Sequence, residues 1–266
     1  RNPMGEAPTD PLADTDLESC AVYQEERCVD TVQQSCLLVD GATGAAVETP
    51  DPVLHRALLF DRWYDLYHQP DGQTVERHFK GATSAGTPES EWGALEHFST
   101  HGGAGDSAIW TGVSLVSAAL RYRETGTAAD YARMATKVRA LLTMFDVTGV
   151  PGHLARYHYL NLPPEAPRSD AHIFHYDDPS DNDHRDRPIS APESVQGLPS
   201  VYLDGVTAED GTTYTGTPMW HGNPSIDQYT GPMVAFPLVY HLLQDESLKE
   251  RIVTHLTCYL KRLRRI

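Results

Sequence analysis

Apolar residues recur at helical spacing along several stretches of the chain. From Pro52, the residues Leu54, Leu58, Leu59, Trp63, Leu66 and Tyr67 predict a helix that stops at the breaker His68-Gln-Pro-Asp-Gly72. Ile109, Leu115, Val116, Ala119 and Leu120 form a second stripe, ended by Glu124-Thr-Gly126. Tyr131, Met134, Val138, Leu141, Leu142 and Phe145 form a third, beginning near Ala128. The short turn between these two predicts an antiparallel helical hairpin. Pro232 to Leu243 is apolar on nearly every side and reads as a helix buried all round, with Pro237 expected to kink or split it. Leu248, Ile252, Leu256, Tyr259 and Leu263 predict a last helix from Ser247 onward.

Alternation is weaker. Short strands are expected near Thr74–Phe79 and over His153–Leu160, and a small hairpin from Val201–Val206 with Thr212–Thr215. Pro163 to Pro199 is dense in Pro, Asp, Ser and His, and reads as a long functional or disordered loop. The expected fold is therefore mainly α, with antiparallel helical hairpins, long irregular loops and minor β. Residues 1–50 read as an irregular, Cys-containing lead-in and 51–266 as the helical-hairpin domain.

The 266 residues allow one large domain or two small ones. A formal charge of -16 argues against nucleic acid and anionic membrane surfaces as partners. No apolar run reaches membrane-spanning length. Cys20, Cys28, Cys36 and Cys258 suit two disulfides, with three pairings open, and point to an oxidising compartment. The start at Arg1 without Met fits a mature chain whose export signal has been removed. Leu260-Lys-Arg-Leu-Arg-Arg-Ile266 stops within a helical pattern, so the natural chain is expected to continue. Together these point to a secreted, periplasmic or cell-surface protein.

Ser225 followed by Gln228 has the form of a capping box, which starts a helix at Ser225 and puts Asp227 in its first turn. The positive end of the helix dipole favours an ionised carboxylate there, suited to a base, a nucleophile or a cation ligand, or simply to neutralising the helix end. Asp106 reads as a second N-terminal acid, either capping the helix or facing a ligand. An aromatic follows each, Trp110 or Tyr229. Arg156 and His158 share one face of a predicted strand, with Tyr157 and Tyr159 on the other. Trp220 and His221 read either as a stacking platform with a hydrogen-bonding partner or as core. His172, His175, Asp178, Asp181 and Asp183 form the densest ligand set, with Asp177 and His184 beside them. Its oxygens suit calcium and its histidines a transition metal, with a solvated acidic loop as the alternative. No Walker-type phosphate loop or GxSxG elbow is present, and Gly103-Ala-Gly105-Asp-Ser-Ala108 lacks the βαβ setting of a dinucleotide site. Apart from that loop, no cofactor is expected.

Three stretches, Gly105-Asp-Ser-Ala-Ile-Trp-Thr-Gly112, Thr148-Gly-Val-Pro-Gly-His-Leu-Ala-Arg156 and Gly222-Asn-Pro-Ser-Ile-Asp-Gln-Tyr-Thr-Gly231, resemble bacterial proteins of the (α/α) toroid type, the six-hairpin glycosidases and their relatives. The resemblance covers roughly residues 90 to 265 and lies in motif style and order. It implies concentric rings of hairpins with a sugar-binding cleft at one end. Only about three clear hairpins are visible where such a toroid has six, so either the rest lies beyond Ile266 or the array is partial. It implies a carbohydrate-active enzyme, a glycoside hydrolase or polysaccharide lyase. Asp227 would be base or nucleophile and Asp106 its partner, since two carboxylates flank the bond in glycoside hydrolysis. A helix N-terminus opposes protonation, so the acid could be a third group: Glu91, Glu96, Asp204 or His158. Arg156 would bind a sugar carboxylate, and Tyr157, Trp110, Trp220, His221 and Tyr229 would help position the sugar. The alternatives are a glycan- or protein-binding module using the same loop end, and a metal-dependent hydrolase using the loop from His172.

Overall fold

The computed structural model describes residues 27–28, 36–39, 46–47, 61, 64–80, 95–176 and 185–264, without the side chains of the first three segments or of Glu96. These residues fall into two compact units, one within residues 1–67 and 77–100, the other within 68–76 and 101–266.

The first unit holds an antiparallel three-stranded sheet of β1 (Arg27–Cys28), β2 (Cys36–Val39) and β3 (Ala46–Val47). The expected irregular lead-in thus contains short paired strands. Cys28 and Cys36 are register partners, while Cys20 lies outside the described residues. Residues 64–67 are helical, and most of the helix expected from Pro52 lies outside the described residues. β4 (Glu76–Phe79) falls in the expected strand and pairs with β5 (Phe98–Gly102).

The second unit is mainly α. α1 (Ser107–Thr125) and α2 (Ala128–Asp146) form the expected hairpin. Gly126, at φ 65°, ends α1, and the Thr127 side chain accepts from the Asp130 N–H to start α2. Asp130 also receives Arg121 at 2.6 Å and the Thr125 and Thr127 hydroxyls. After the β segment come α3 (Val201–Asp204), α4 (Thr230–Tyr240) and α5 (Glu246–Leu263). α4 runs through Pro237 without splitting. Leu115, Met134, Leu141, Phe145, Phe236 and Ile252 lie at the heart of a core shared by α1, α2, α4 and α5. Cys258, on α5, is a free thiol.

Two short-range constraints fix this packing. At Gly112 an added Cβ would lie 2.4 Å from the Gly231 carbonyl carbon, and at Gly231 one would lie 2.6 Å from the Ala108 oxygen. Side chains normally hold helix axes ~8–10 Å apart, so these glycines let α1 and α4 meet backbone to backbone. The second constraint joins α2, α5 and the Thr148–Gly152 turn. His255 Nε2 donates to Asp146 at 2.8 Å, its Nδ1 accepts from the Gly152 N–H at 3.2 Å, and Arg251 donates to the other Asp146 oxygen.

The strands of this unit are less visible in the sequence. β6 (Tyr157–Asn161), β7 (Phe174–His175), β8 (Asp186–Pro188) and β11 (Thr217–His221) form a sheet in the order β7-β6-β11-β8. β11 pairs with β6 from Thr217 opposite Asn161 to His221 opposite Tyr157. The expected hairpin shrinks to β9 (Val206–Thr207) and β10 (Thr213–Tyr214), because Val201–Asp204 coils into α3. The long loop after Pro163 thus carries two strands of the sheet.

Both constraints can be tested through stability. Gly112→Ala should cost about 3 kcal/mol through crowding, although alanine is the better helix former by about 1 kcal/mol. Chemical denaturation measures it, and an unchanged midpoint would contradict the close crossing. Burial alone would raise the Asp146 pKa, but the bonds from His255 and Arg251 outweigh it and hold the carboxyl below 3.8. A carboxyl depressed in the folded state stabilises above its ordinary pKa and loses that contribution as pH falls through the folded value. Asp146→Asn should therefore cost about 2 kcal/mol at neutral pH, with the gap to the parent closing in strong acid.

Candidate functional site

The Gly112–Gly231 crossing makes neighbours of the first turns of α1 and α4. Before α1 the chain makes a 3-10 turn, Ala104–Asp106, entered through Gly103 at φ 63°. Before α4 it makes another, Ile226–Tyr229. Asp106 makes no capping bond to its own helix; it accepts instead from Gln228 Nε2 at 2.8 Å. The capping box expected at Ser225 is not closed either, since Ser225 makes no side-chain cap and Gln228 reaches across to α1. Both residues of that motif serve contacts between segments far apart in sequence.

Arg156 ties these segments together. It stands just before β6, and its N–H donates to the His221 carbonyl, so its side chain leaves from the end of the β6–β11 ladder. Its Nη1 donates to the Gly105 carbonyl at 3.0 Å, Nε to the Asn223 carbonyl at 3.2 Å and Nη2 to Ser225 Oγ at 3.2 Å. Asn223 presents its carbonyl from φ 55°, a conformation that asparagine tolerates better than most residues. Asp106 lies 3.9 Å from Nη1.

Asp227 is fully exposed. The Ser225 hydroxyl donates to its carboxylate and holds its pKa below the usual value; the Gln228 N–H at 3.1 Å and the Arg156 charge act in the same direction. A relay results, with Arg156 donating to Ser225 and Ser225 to Asp227. Trp110 follows Asp106 by one helical turn with half of its surface exposed (50 %), and Ile226 beside Asp227 is 78 % exposed. Asp106, Arg156, Asp227 and Trp110 therefore belong to one end of the helical unit. Ser225, Gln228 and Asn223 join them. Only their contacts across the chain assign these three to the site; the capping-box spacing of Ser225 and Gln228 does not.

Other candidates lie elsewhere. His158 is fully buried, its backbone N–H donating to Gln73 Oε1 at 2.8 Å while Gln73 Nε2 donates to its carbonyl at 2.9 Å. The Gln73 amide stands in for a neighbouring strand. Burial pushes the His158 imidazole down to about 4, so it is neutral and out of reach as an acid. Arg156 and His158 do not meet in one site: the Arg156 side chain goes to Gly105, Asn223 and Ser225, while His158 is buried against Gln73 and Tyr202. Trp220 is 7 % exposed and packs with Val147, Ala155 and Ile189, with His153 edge-on at 5.7 Å. It is core, with no face for a sugar. Tyr229 is buried and stacks on Tyr259 at 4.0 Å, its hydroxyl accepting from the Leu154 N–H. Tyr157 stacks on His221 at 5.1 Å, and His221 Nδ1 bonds Asp186 at 2.6 Å. Tyr157, His221 and Tyr229 are thus packing residues. Arg156 already donates from all three nitrogens, which uses three of its five N–H groups to hold the Gly105, Asn223 and Ser225 loops.

Of the proposed metal set, Asp178, Asp181 and Asp183 lie outside the described residues. His172 Nδ1 is held by the buried Asp71 at 2.5 Å, and His175 stacks on Tyr159 at 3.9 Å. No group of three or more metal-ligating side chains occurs among the described residues. Of the other acid candidates, Asp204 is exposed on α3; Glu91 and the Glu96 side chain lie outside the described residues. Among the described residues, no helix is long and apolar enough to cross a membrane.

Ser225→Ala should raise the Asp227 pKa, and by more than Arg156→Gln, because the hydroxyl bond is the larger influence. Carboxyl-carbon NMR titration reads both shifts; equal pKa values in parent and Ser225→Ala protein would remove the relay. Comparison with known proteins adds no relative: no family model, no curated protein and no solved structure matches the chain.

Proposed function

We propose that the chain is a carbohydrate-active enzyme that cleaves a glycosidic bond at the joint N-terminal end of α1 and α4. In this reading the hairpins are part of an (α/α) toroid and the protein works outside the cytoplasm. The observation that carries it is the convergence of two exposed carboxylates from opposite ends of the helical unit's sequence, Asp106 and Asp227, beside the half-exposed Trp110. Paired carboxylates serve glycoside cleavage, and an exposed indole serves sugar stacking. Asp227 takes the part of base or nucleophile, since the Ser225 hydroxyl and Arg156 keep it ionised. Asp106 is its partner, aimed by Gln228. Arg156 positions both loops.

A second reading, a glycan-binding module without turnover, gains from one feature. Asp227 is ionised and Asp106 lies beside a guanidinium, so neither has the apolar setting that makes a carboxylic acid. Asp227→Asn separates the two readings. The enzyme reading predicts a loss of about 10²–10⁴-fold in turnover, with glycan affinity and melting temperature nearly unchanged. A screen of plant, bacterial and animal polysaccharides without any turnover, but with binding that Trp110→Ala abolishes, would favour the module.

A further inference from the structure

α4 and α5 leave an apolar groove between them. It holds about 300 Å³, with the buried Phe236 and Ile252 at its floor and Pro237, Val253, Leu256 and Leu260 along its sides. Val253 and Leu260 are half-exposed. Leu263 beyond them on α5, and Val234 one turn before Pro237 on α4, carry the exposed apolar surface further. Scattered exposed apolar residues are ordinary, but a groove with a continuous apolar stripe marks an interaction surface.

The charges along α5 point to the occupant. Glu250, Val253, Thr257, Leu260 and Arg264 recur every three or four residues, so they share one face of the helix. Glu246 is matched by Lys249 at 2.7 Å, and Asp245 lies 3.7 Å from Arg139. Glu250 at one end of the stripe, and Lys261 and Arg264 at the other, have no ion pair among the described residues. The stripe therefore runs from acid through apolar to base. It is also centred: Thr257 lies midway between Glu250 and Arg264, and the midpoint of Val253 and Leu260 falls between Leu256 and Thr257. Such a stripe complements its own reverse. Laid antiparallel on a copy of itself, Glu250 meets Arg264 and Val253 meets Leu260. Laid parallel, acid would meet acid and base would meet base. A two-fold contact uses the same patch on both partners, which is what this pattern provides.

We infer that the α4–α5 groove is covered by α5 of a second copy of this chain, in a two-fold antiparallel homodimer with Thr257 near the axis. Leu260 of each copy fills the groove of the other, and the matched charges set the direction of the pair. The net charge of -16 opposes the approach of two copies at low ionic strength, so the contact forms where salt screens it, at about 0.15 M and above.

Analytical ultracentrifugation at about 0.15 M salt, with protein from roughly 1 to 100 μM, tests this. The expected result is a monomer–dimer equilibrium without larger species. Leu260→Glu should abolish the dimer and keep the parent's melting temperature at the dilute end, where both are monomers. Glu250→Arg should weaken the dimer roughly tenfold, because the contact occurs twice and attraction becomes repulsion. Adding Arg264→Glu to Glu250→Arg should restore the parent's dissociation constant, since the exchanged charges match again. If Leu260→Glu fails to fold, the two charge variants, both at exposed positions, decide the question. A chain that stays monomeric throughout, a dimer that ignores Leu260→Glu, or a double variant no tighter than Glu250→Arg would overturn the inference. A monomer that binds phosphatidylserine vesicles through Leu260 would overturn it as well, and would give the basic end of α5 to a membrane surface.

Discussion

The backbone contact between Gly112 and Gly231 is what the site depends on. Any side chain at either position would push the two helices apart by about the width of a methyl group. Without one, Gly231 sits against the Ala108 and Ile109 carbonyls, and the turns before the two helices become neighbours. Gln228 can then reach Asp106, and Arg156 can span both turns. The two helix N-termini add their partial positive charges at this end, beside both carboxylates. The helix pair therefore does more than fill the core. It sets the distance between chemical groups 121 residues apart in the chain, from Asp106 to Asp227.

Arg156 is the second organiser, and its placement depends on the sheet. β11 pairs with β6, and the ladder continues by one bond from the Arg156 N–H to the His221 carbonyl. That fixes the root of the side chain, while Gly105, Asn223 and Ser225 fix its tip. The planar guanidinium offers donors in fixed directions, which suits a bracket between three loops better than a lysine would. Beneath the sheet, Asp71 receives Tyr202, His172 and the Ile173 N–H, and Gln73 completes the edge of β6. This buried polar set secures the strand that carries Arg156.

Local patterns in the sequence carried the helices well. The stripe from Ile109 to Leu120 and that from Tyr131 to Phe145 repeat at 3.6 residues, and Gly126 marks the break between them. The site was legible as a set of acids before helices, because Asp106 and Asp227 follow turn-forming residues. Their partners were hidden. Ser225 and Gln228 match a capping box by spacing, but the motif is silent about whether Gln228 finds a better partner on another helix. β11 was missed because Thr217–His221 is short, includes Pro218 and shows no clear alternation. That omission made Trp220 look free to stack, when the ladder with β6 turns it into the core. His158 failed for the related reason that a polar side chain on a strand says nothing about a glutamine 85 positions earlier that satisfies its backbone.

The shared site is tested most directly at the side-chain amide of Gln228, followed by nitrogen-15 NMR as pH is lowered through the carboxylate range. With Nε2 donating to Asp106, the amide resonance should move with the Asp106 titration, and the movement should vanish in Asp106→Asn protein. An amide that ignores the protonation of Asp106 would mean that the two helix N-termini do not meet, and the shared site would be lost with them.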